Sequence, residues 1–311
     1  MKPSLERRWT SLLDSQAWRR FTRTRPVRVV LRSRPAQRAD MARRRIAMGR
    51  RAASHPDLFA SVDTFALFVG HTKSGGSLLG ALLDAHPRIV MADELDSLKY
   101  VAAGFDAQRL YHLITKASRR EALKGRVTAR RLSAYSLAVP DQWQGRHDSI
   151  QVLGDTKAGI ATQRLGRDPG LLAELDQLGG ATSLKVVHVV RNPFDPIAIM
   201  TIRGGRSFQE AVDRYFANCD ILRHLHDQLD AESILIVRYE NMVARPREEL
   251  SAVCRFLGVA CTAEYLDACV GVVHAEPERE RLDVAWDEQT VGRVETLAAR
   301  FDFLSGYEFE T

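Results

Sequence analysis

The sequence of 311 residues contains no apolar run that approaches the ~20 residues of a membrane-spanning helix. Its first residues also lack the short apolar core and the small-residue cleavage site of a secretory signal. We therefore expect a cytoplasmic protein, peripheral on a membrane at most.

Patterns of metal ligands are equally sparse. The four cysteines form no C-x-x-C pair, and no histidine cluster completes a zinc pattern. They are expected to be reduced and to pack as small hydrophobic side chains: Cys219, Cys254, Cys261 and Cys269. His224 and His226 lie two residues apart on a predicted helix, so they point to different faces. No metal site is expected.

Positive charge is concentrated in residues 1–57, which we call the basic arm. The arm contains 15 arginines and Lys2 against four acidic residues, a net charge of +12, whereas the remainder has 29 basic and 35 acidic residues, a net charge of −6. It is predicted to be helical around Leu12–Phe21 and Ala39–Arg51 and otherwise disordered. It is either simply solvated or attracted to an anionic membrane or a polyanionic substrate. No pattern of interleaved aromatic residues and no reader motif stands beside the charge, so nucleic acid is not the expected partner.

Residues 58–311 have the composition of a globular domain. Five short apolar runs, rich in valine and isoleucine, predict strands that are buried on both faces of a parallel sheet: "TFALFVG", "RIVM", "IQVLG", "LKVVHVVR" and "ILIVRY". Helical segments alternate with them, and the clearest begins with a capping box of Ser207 and Glu210. This alternation predicts an α/β, P-loop-like fold of three layers, with a central parallel sheet flanked by helices.

The stretch "FALFVGHTKSGGSLLGALLDAHP" (65–87) predicts a strand, a glycine-rich turn and a helix. Gly70 and Gly75 have the separation found in the P-loop of nucleoside triphosphatases, but Gly76 stands where that loop needs a lysine. The lysine is Lys73, inside the loop. Backbone N–H groups at the helix start, with Lys73 and the Ser74 and Ser77 hydroxyls, favour a phosphate site over an ordinary turn.

Two later stretches begin in the same way, with a buried strand. In "LKVVHVVRNPFD", Arg191 follows the strand, where it can fork onto a phosphate, while Asn192 is predicted as an N-cap and Pro193 as the first helical residue. In "ILIVRYENMVARPREELSAVCRFLGV", a polar turn precedes a helix that starts near Pro246 and is closed by Gly258. By itself this third stretch predicts only scaffold.

Taken in order, the three stretches resemble the motifs of sulfotransferases that use 3′-phosphoadenosine 5′-phosphosulfate (PAPS). That family has a loop of the form P-[KR]-S-G-T, then R-[ND]-P-x-D, then Y-E-[DN]-[LM]-V-x-x-P; here they read "HTKSGGS", "RNPFD" and "RYENMVARP". Trp286 and "LSGYEF" resemble its C-terminal pattern, so the resemblance covers about Asp63 to Phe309. The stretch "LLDAHPRIVMADE" is most similar to the branch of tyrosylprotein and carbohydrate sulfotransferases.

The resemblance implies PAPS as co-substrate, with no metal. It implies Glu94 as general base, with Asp93 as the second candidate, and Lys73 and Lys157 as stabilisers of the leaving oxygen. The residues implied in cofactor binding are Lys73, Ser74, Gly75, Gly76, Ser77, Leu78, Arg191, Thr201, Tyr239, Arg279 and Arg281. Arg191 is assigned to the 3′-phosphate, and Ile199 stands where the family has a serine, which Thr201 or Arg203 could replace.

The expected function is in-line transfer of a sulfuryl group from PAPS to an acceptor hydroxyl. The acceptor is a carbohydrate, a lipid, a phenol, another natural product or a peptide tyrosine, and a helical insertion at about 95–145 is expected on the acceptor side. Two alternatives stay open at this point. One is a P-loop nucleotide kinase or nucleoside triphosphatase, and the other is a non-catalytic, sulfotransferase-like binding module.

Overall fold

The computed structural model describes residues 34–93, 95–127, 136–180, 182–274 and 276–310. The chain divides into two compact units, residues 1–51 and 52–311. Helix α1, Arg34–Ser54, contains the predicted helix Ala39–Arg51, whereas the predicted helix Leu12–Phe21 lies outside the described residues. Within α1, Asp40 pairs with Arg43 (2.8 Å) and Arg44 (2.6 Å). None of the helices in the described part of the chain is long and apolar enough to cross a membrane.

The second unit is built on a five-stranded parallel sheet, as predicted. The strands are β1 Thr64–Gly70, β2 Ile89–Ala92, β3 Val152–Asp155, β4 Ser183–Val190 and β5 Ile234–Arg238. Their order across the sheet is β2-β3-β1-β4-β5, and every neighbouring pair is parallel. All seven residues of β1, at the centre, are buried, which explains why its sequence is continuously apolar.

Helices flank the sheet. They are α2 Gly76–Leu83, α3 Ser97–Val101, α4 Ala107–Leu123, α5 Ala158–Arg167, α6 Gly170–Leu178, α7 Phe194–Ile202, α8 Phe208–Gln228, α9 Tyr239–Ala244, α10 Pro246–Phe256, α11 Ala263–Val270 and α12 Glu288–Ala298, with 3₁₀ turns at Glu280–Asp283 and Asp302–Leu304. The predicted capping box at the start of α8 is present, since Ser207 and Glu210 each accept a hydrogen bond from the other's backbone N–H. Helix α10 is followed by Gly258 with φ 84°, as expected of a C-terminal glycine.

The topology determines where a site can form. Because all five strands are parallel, their carboxyl ends lie along one edge of the sheet. The glycine-rich loop follows β1, the acidic pair follows β2, Lys157 follows β3, Arg191 follows β4 and Tyr239 follows β5. Residues that are far apart in the sequence therefore meet at this edge.

A buried carboxylate braces the elements on one side of the sheet. Asp84, at the end of α2, accepts hydrogen bonds from the Met91 N–H (2.7 Å), the Ser118 hydroxyl (2.8 Å) and the Gly145 N–H (3.0 Å), and it forms an ion pair with Arg126. Burial raises the pKa of Asp84 to about 6, although the Arg126 charge and the hydrogen bonds act in the opposite direction. Asp84 thus joins β2, α4 and the segment before β3.

We expect Asp84→Ala to lower the free energy of unfolding by about 3–5 kcal/mol, because it leaves the Arg126 guanidinium buried without its counter-charge. Urea denaturation measures the change. The control is Asp220→Ala, which removes an exposed ion pair with Arg223 (2.8 Å) and should cost less than about 1 kcal/mol. Equal losses in the two variants would contradict the bracing role of Asp84.

Candidate active site

A cleft of about 570 Å³ opens at the carboxyl edge of the sheet. That volume lies within the range of pockets that hold small molecules, about 300–1,000 Å³. The predicted site residues that line the cleft are Lys73, Gly75, Gly76, Ser77, Leu78, Lys157, Arg191 and Tyr239. His71, Thr156, Arg203 and Glu280 also line it. The loops after β1, β3, β4 and β5 therefore share one cavity.

The glycine-rich loop has the backbone of an anion site. Gly75 has φ 96°, and a Cβ atom at this position would lie 2.5 Å from the Tyr239 ring, so a side chain would not fit. Gly75 is the N-cap of α2 and cannot cap the helix with a side chain. The N–H groups of the first turn, which begins with Gly76 and Ser77, are therefore available to an anionic ligand.

Lys73 also has a left-handed backbone, with φ 72°. This conformation is uncommon for a residue other than glycine and costs about 1–3 kcal/mol, so neighbouring contacts must hold it. One such contact is visible, because the Lys73 carbonyl accepts a hydrogen bond from Arg191 Nη1 at 3.0 Å. The Lys73 residue itself is exposed and lines the cleft.

The acidic pair after β2 is described at one of its two positions. Glu94, the predicted general base, lies outside the described residues. Asp93, the second candidate, lines the cleft and accepts hydrogen bonds from the hydroxyls of Ser77 (3.3 Å) and Thr156 (3.0 Å). Asp93 is therefore linked to the start of α2 and to the end of β3.

A carboxylate that the sequence analysis did not identify holds the backbone that follows Glu94 in the sequence. Asp155, only 2% exposed at the end of β3, accepts hydrogen bonds from the N–H groups of Leu95 (3.2 Å) and Ser97 (2.6 Å). Burial raises the pKa of Asp155 to about 6, although these hydrogen bonds act in the opposite direction. The sequence feature that could have identified Asp155 is its position directly after the apolar run that precedes Lys157.

Arg191 and Tyr239, both predicted to bind the cofactor, lie together. The Arg191 guanidinium stacks over the Tyr239 ring, with 4.7 Å between its central carbon and the ring centroid. Arg191 is only 3% exposed, and it forms ion pairs with Glu280 and, at 3.5 Å, with Asp195. Glu280 was not predicted to belong to the site.

The second and third motifs are joined by hydrogen bonds. Glu240 accepts one from the Asn192 N–H (2.9 Å) and one from the Tyr307 hydroxyl (2.6 Å), so the C-terminal Gly-Tyr joins the same network. Asn192 also accepts the Phe194 N–H at 3.1 Å. The prediction of Asn192 as N-cap and Pro193 as first helical residue is therefore wrong by one residue: α7 begins at Phe194, its N-cap is Pro193, and Asn192 lies just before the helix.

Other predicted cofactor ligands do not line the cleft. Arg281 is only 2% exposed, and its guanidinium contacts Asp195 (2.8 Å) and the Phe309 carbonyl (2.8 Å). The Thr201 hydroxyl donates to the Ala198 carbonyl at 2.7 Å, so of the two proposed substitutes for the missing serine it is Arg203 that lines the cleft. Ser74, which is buried, and Arg279, which is exposed, also lie outside the lining.

The structure places α3 and α4 in the predicted acceptor-side insertion. Its aromatic residues Tyr100, Phe105 and Tyr111 are at most 4% exposed and belong to the core. Across the described ranges, no group of histidine, cysteine and carboxylate side chains is arranged to hold a metal ion. The four cysteines are unpaired thiols.

The free energy of unfolding of the wild type, minus that of Asp155→Asn, is expected to fall as the pH rises from about 4 to about 6. In this interval the folded carboxyl, with a pKa of about 6, holds a proton that the unfolded chain, with a pKa of 3.8, has released. Proton binding then favours the folded state, and this contribution is lost as the pH rises through the folded pKa. The raised pKa of Asp84 is the same in the wild type and in Asp155→Asn, so its contribution cancels in the difference between them.

Urea denaturation at a series of pH values tests this expectation. A difference that stays constant between pH about 4 and pH about 6 would show that burial does not raise the Asp155 pKa.

Among solved structures, the chain is similar to the sulfotransferase domain of the Synechococcus PCC 7002 olefin synthase, with 20% identity, 76% of this chain and 95% of that chain covered, and a TM-score of 0.47. It is also similar to a sulfotransferase from Alicyclobacillus acidocaldarius, with 20% identity, 77% and 96% covered, and a TM-score of 0.40. A mouse sulfotransferase complexed with PAP gives 12% identity, 81% and 88% covered, and a TM-score of 0.40.

The comparison with curated proteins finds no match. The model of the sulfotransferase family, however, matches residues 66–263, which is more than half of the chain and includes the loop after β1, Arg191 and Tyr239. The chain belongs to the sulfotransferase family.

Proposed function

We propose that this protein transfers a sulfuryl group from PAPS to the hydroxyl of an acceptor. The observation that carries the proposal is the convergence of five segments, one after each strand, on one cleft. The loop with Lys73, the residue Lys157, the segment beside Glu94 and the pair of Arg191 and Tyr239 all reach it.

The cleft fits a nucleotide that carries two separate anionic groups. The first turn of α2, with Lys73, supplies N–H donors and a positive charge for the 5′-phosphosulfate. Gly75 has no side chain to block the approach of a ligand to the backbone, and it lies against the Tyr239 ring. Arg191 supplies a guanidinium for the 3′-phosphate. The same residues then hold the adenosine 3′,5′-bisphosphate product.

Bound PAPS supplies the activated sulfuryl group, and the chain supplies the proton acceptor and the electrostatics. Glu94 is proposed to take the acceptor's hydroxyl proton, which makes the acceptor oxygen a better nucleophile. Lys73 and Lys157 bring positive charge to the bridging oxygen, where negative charge develops as the bond to sulfur breaks. Asp155 holds the backbone N–H groups of Leu95 and Ser97, which follow Glu94 in the sequence.

The proposed acceptor is a hydroxyl-bearing molecule: a carbohydrate, a lipid, a phenol or another natural product. The expected relation to the tyrosylprotein and carbohydrate branch rests on the "LLDAHPRIVMADE" stretch alone. Membership of the sulfotransferase family favours sulfuryl transfer over the nucleotide kinase alternative, as does the glycine at the Walker lysine position.

The basic arm is proposed to contact an anionic membrane surface. The part of the arm that forms α1 contains seven arginines and one acidic residue, Asp40. Each arginine near an anionic surface contributes about 1 kcal/mol to binding at low salt. This association would be electrostatic and therefore weakened by salt.

Glu94→Gln is expected to keep nucleotide binding and to lower turnover by about 10²–10⁴-fold, because glutamine cannot accept the hydroxyl proton. Binding is measured as the rise in melting temperature with adenosine 3′,5′-bisphosphate. Turnover is measured as transfer of labelled sulfate from PAPS to whichever acceptor the wild type sulfates in a panel of sugars, lipids, phenols and tyrosine peptides.

The control is Glu174→Gln, which makes the same change at an exposed position of α6. It should leave both readouts unchanged. Normal turnover by Glu94→Gln would rule out Glu94 as the base and would transfer the role to Asp93, whose Asp93→Asn variant is measured in the same assay.

A further inference from the structure

The chain's own acceptors surround the guanidinium that is proposed to hold the 3′-phosphate. Arg191 Nη1 donates to the Lys73 carbonyl at 3.0 Å. Arg191 Nη2 donates to the Glu278 carbonyl and to the Glu280 carboxylate. The lining of the cleft includes both Arg191 and Glu280. A phosphate that approaches Arg191 in the cleft therefore meets a carboxylate already paired with it.

The second carboxylate beside Arg191 is bound to another arginine. Asp195 accepts a hydrogen bond from the Arg281 N–H (3.0 Å) and another from the Arg281 guanidinium (2.8 Å), whereas its distance to Arg191 is 3.5 Å. Asp195 is thus the counter-ion of Arg281, and Glu280 is the closer counter-ion of Arg191. The charges of the two arginines are balanced before any nucleotide binds.

A 3′-phosphate and the Glu280 carboxylate cannot share Arg191 without strong repulsion. The side chains of Arg191 and Glu280 are 4% and 11% exposed, so water screens their charges poorly. Like charges that are brought together in such a place are strongly disfavoured. One of the two anions must leave.

The backbone next to Glu280 is fixed, so its side chain is the part that can move. The Arg281 side chain is anchored to Asp195 and to the Phe309 carbonyl, and the Arg281 carbonyl accepts the Trp286 indole N–H at 2.9 Å. Glu280 belongs to the short 3₁₀ turn Glu280–Asp283 that these contacts hold. Rotation of the glutamate side chain releases Arg191 without opening the turn.

We infer that Glu280 is a specificity-determining residue that competes with the nucleotide's 3′-phosphate for Arg191. The inference rests on the proposed function, because it takes Arg191 as the 3′-phosphate site. A nucleotide without a 3′-phosphate leaves the Arg191–Glu280 pair intact and gains nothing from Arg191. A bisphosphate must displace Glu280, so its affinity is lower than Arg191 alone would give, and release of the bisphosphate product is faster.

The experiment compares the wild type, Glu280→Gln and Glu280→Ala by calorimetric titration with adenosine 3′,5′-bisphosphate and with adenosine 5′-monophosphate. We expect both variants to bind the bisphosphate about tenfold more tightly than the wild type, while affinity for the monophosphate stays within about twofold. The control is Glu276→Gln, which removes the same charge at an exposed position of the same segment and should bind both nucleotides as the wild type does.

Each failure has its own signature. Equal bisphosphate affinity in the wild type and in both Glu280 variants would overturn the competition while leaving the nucleotide site intact. If Glu276→Gln binds the bisphosphate as tightly as the Glu280 variants do, loss of any negative charge in this segment has the same effect. That result would also overturn the competition. If the wild type and the variants all bind the bisphosphate no better than the monophosphate, Arg191 is not a 3′-phosphate site. The proposed function then fails together with the inference.

Discussion

The buried guanidinium of Arg191 is the contact on which the rest of the cleft depends. It holds the carbonyl of Lys73, whose left-handed backbone needs support, and it covers the Tyr239 ring, which in turn leaves room only for a glycine at position 75. It also pairs with Glu280 from the C-terminal segment. Burying an unpaired arginine would cost several kcal/mol, so these partners and Arg191 require one another. Segments that lie far apart in the sequence are thereby fixed around one charge.

Three buried or partly buried carboxylates connect the chain segments around the cleft. Asp84 ties α2 to β2 and α4, Asp155 holds the backbone beside Glu94, and Glu240 links Asn192 to Tyr307. Asp84 and Glu240 each accept hydrogen bonds from at least two segments of the chain, and Asp155 joins β3 to the segment after β2. The proposed reaction needs a base and two lysines around the reacting group and an arginine at the 3′-phosphate, and it gains from such fixed positions.

The sheet and the main loop could be predicted because they depend on local patterns. A strand buried on both faces must be continuously apolar, and a loop that brings backbone N–H groups to an anion needs glycine, so β1 and Gly75 carry plain signals. The C-terminal segment carries no such pattern. The sequence of Arg279, Glu280 and Arg281 does not indicate which of the three side chains lines the cleft. In the structure it is Glu280. That choice is set by Asp195, which binds Arg281 from a distant helix.

The central claim is that this cleft binds a nucleotide with separate 5′ and 3′ anionic groups. A thermal-shift titration of the wild type tests it most directly, with adenosine 3′,5′-bisphosphate compared with ADP and with ATP and magnesium. A rise in melting temperature with the bisphosphate, larger than that with either of the other nucleotides, is the predicted result. A rise only with ATP and magnesium would contradict the account and would support the nucleotide kinase alternative.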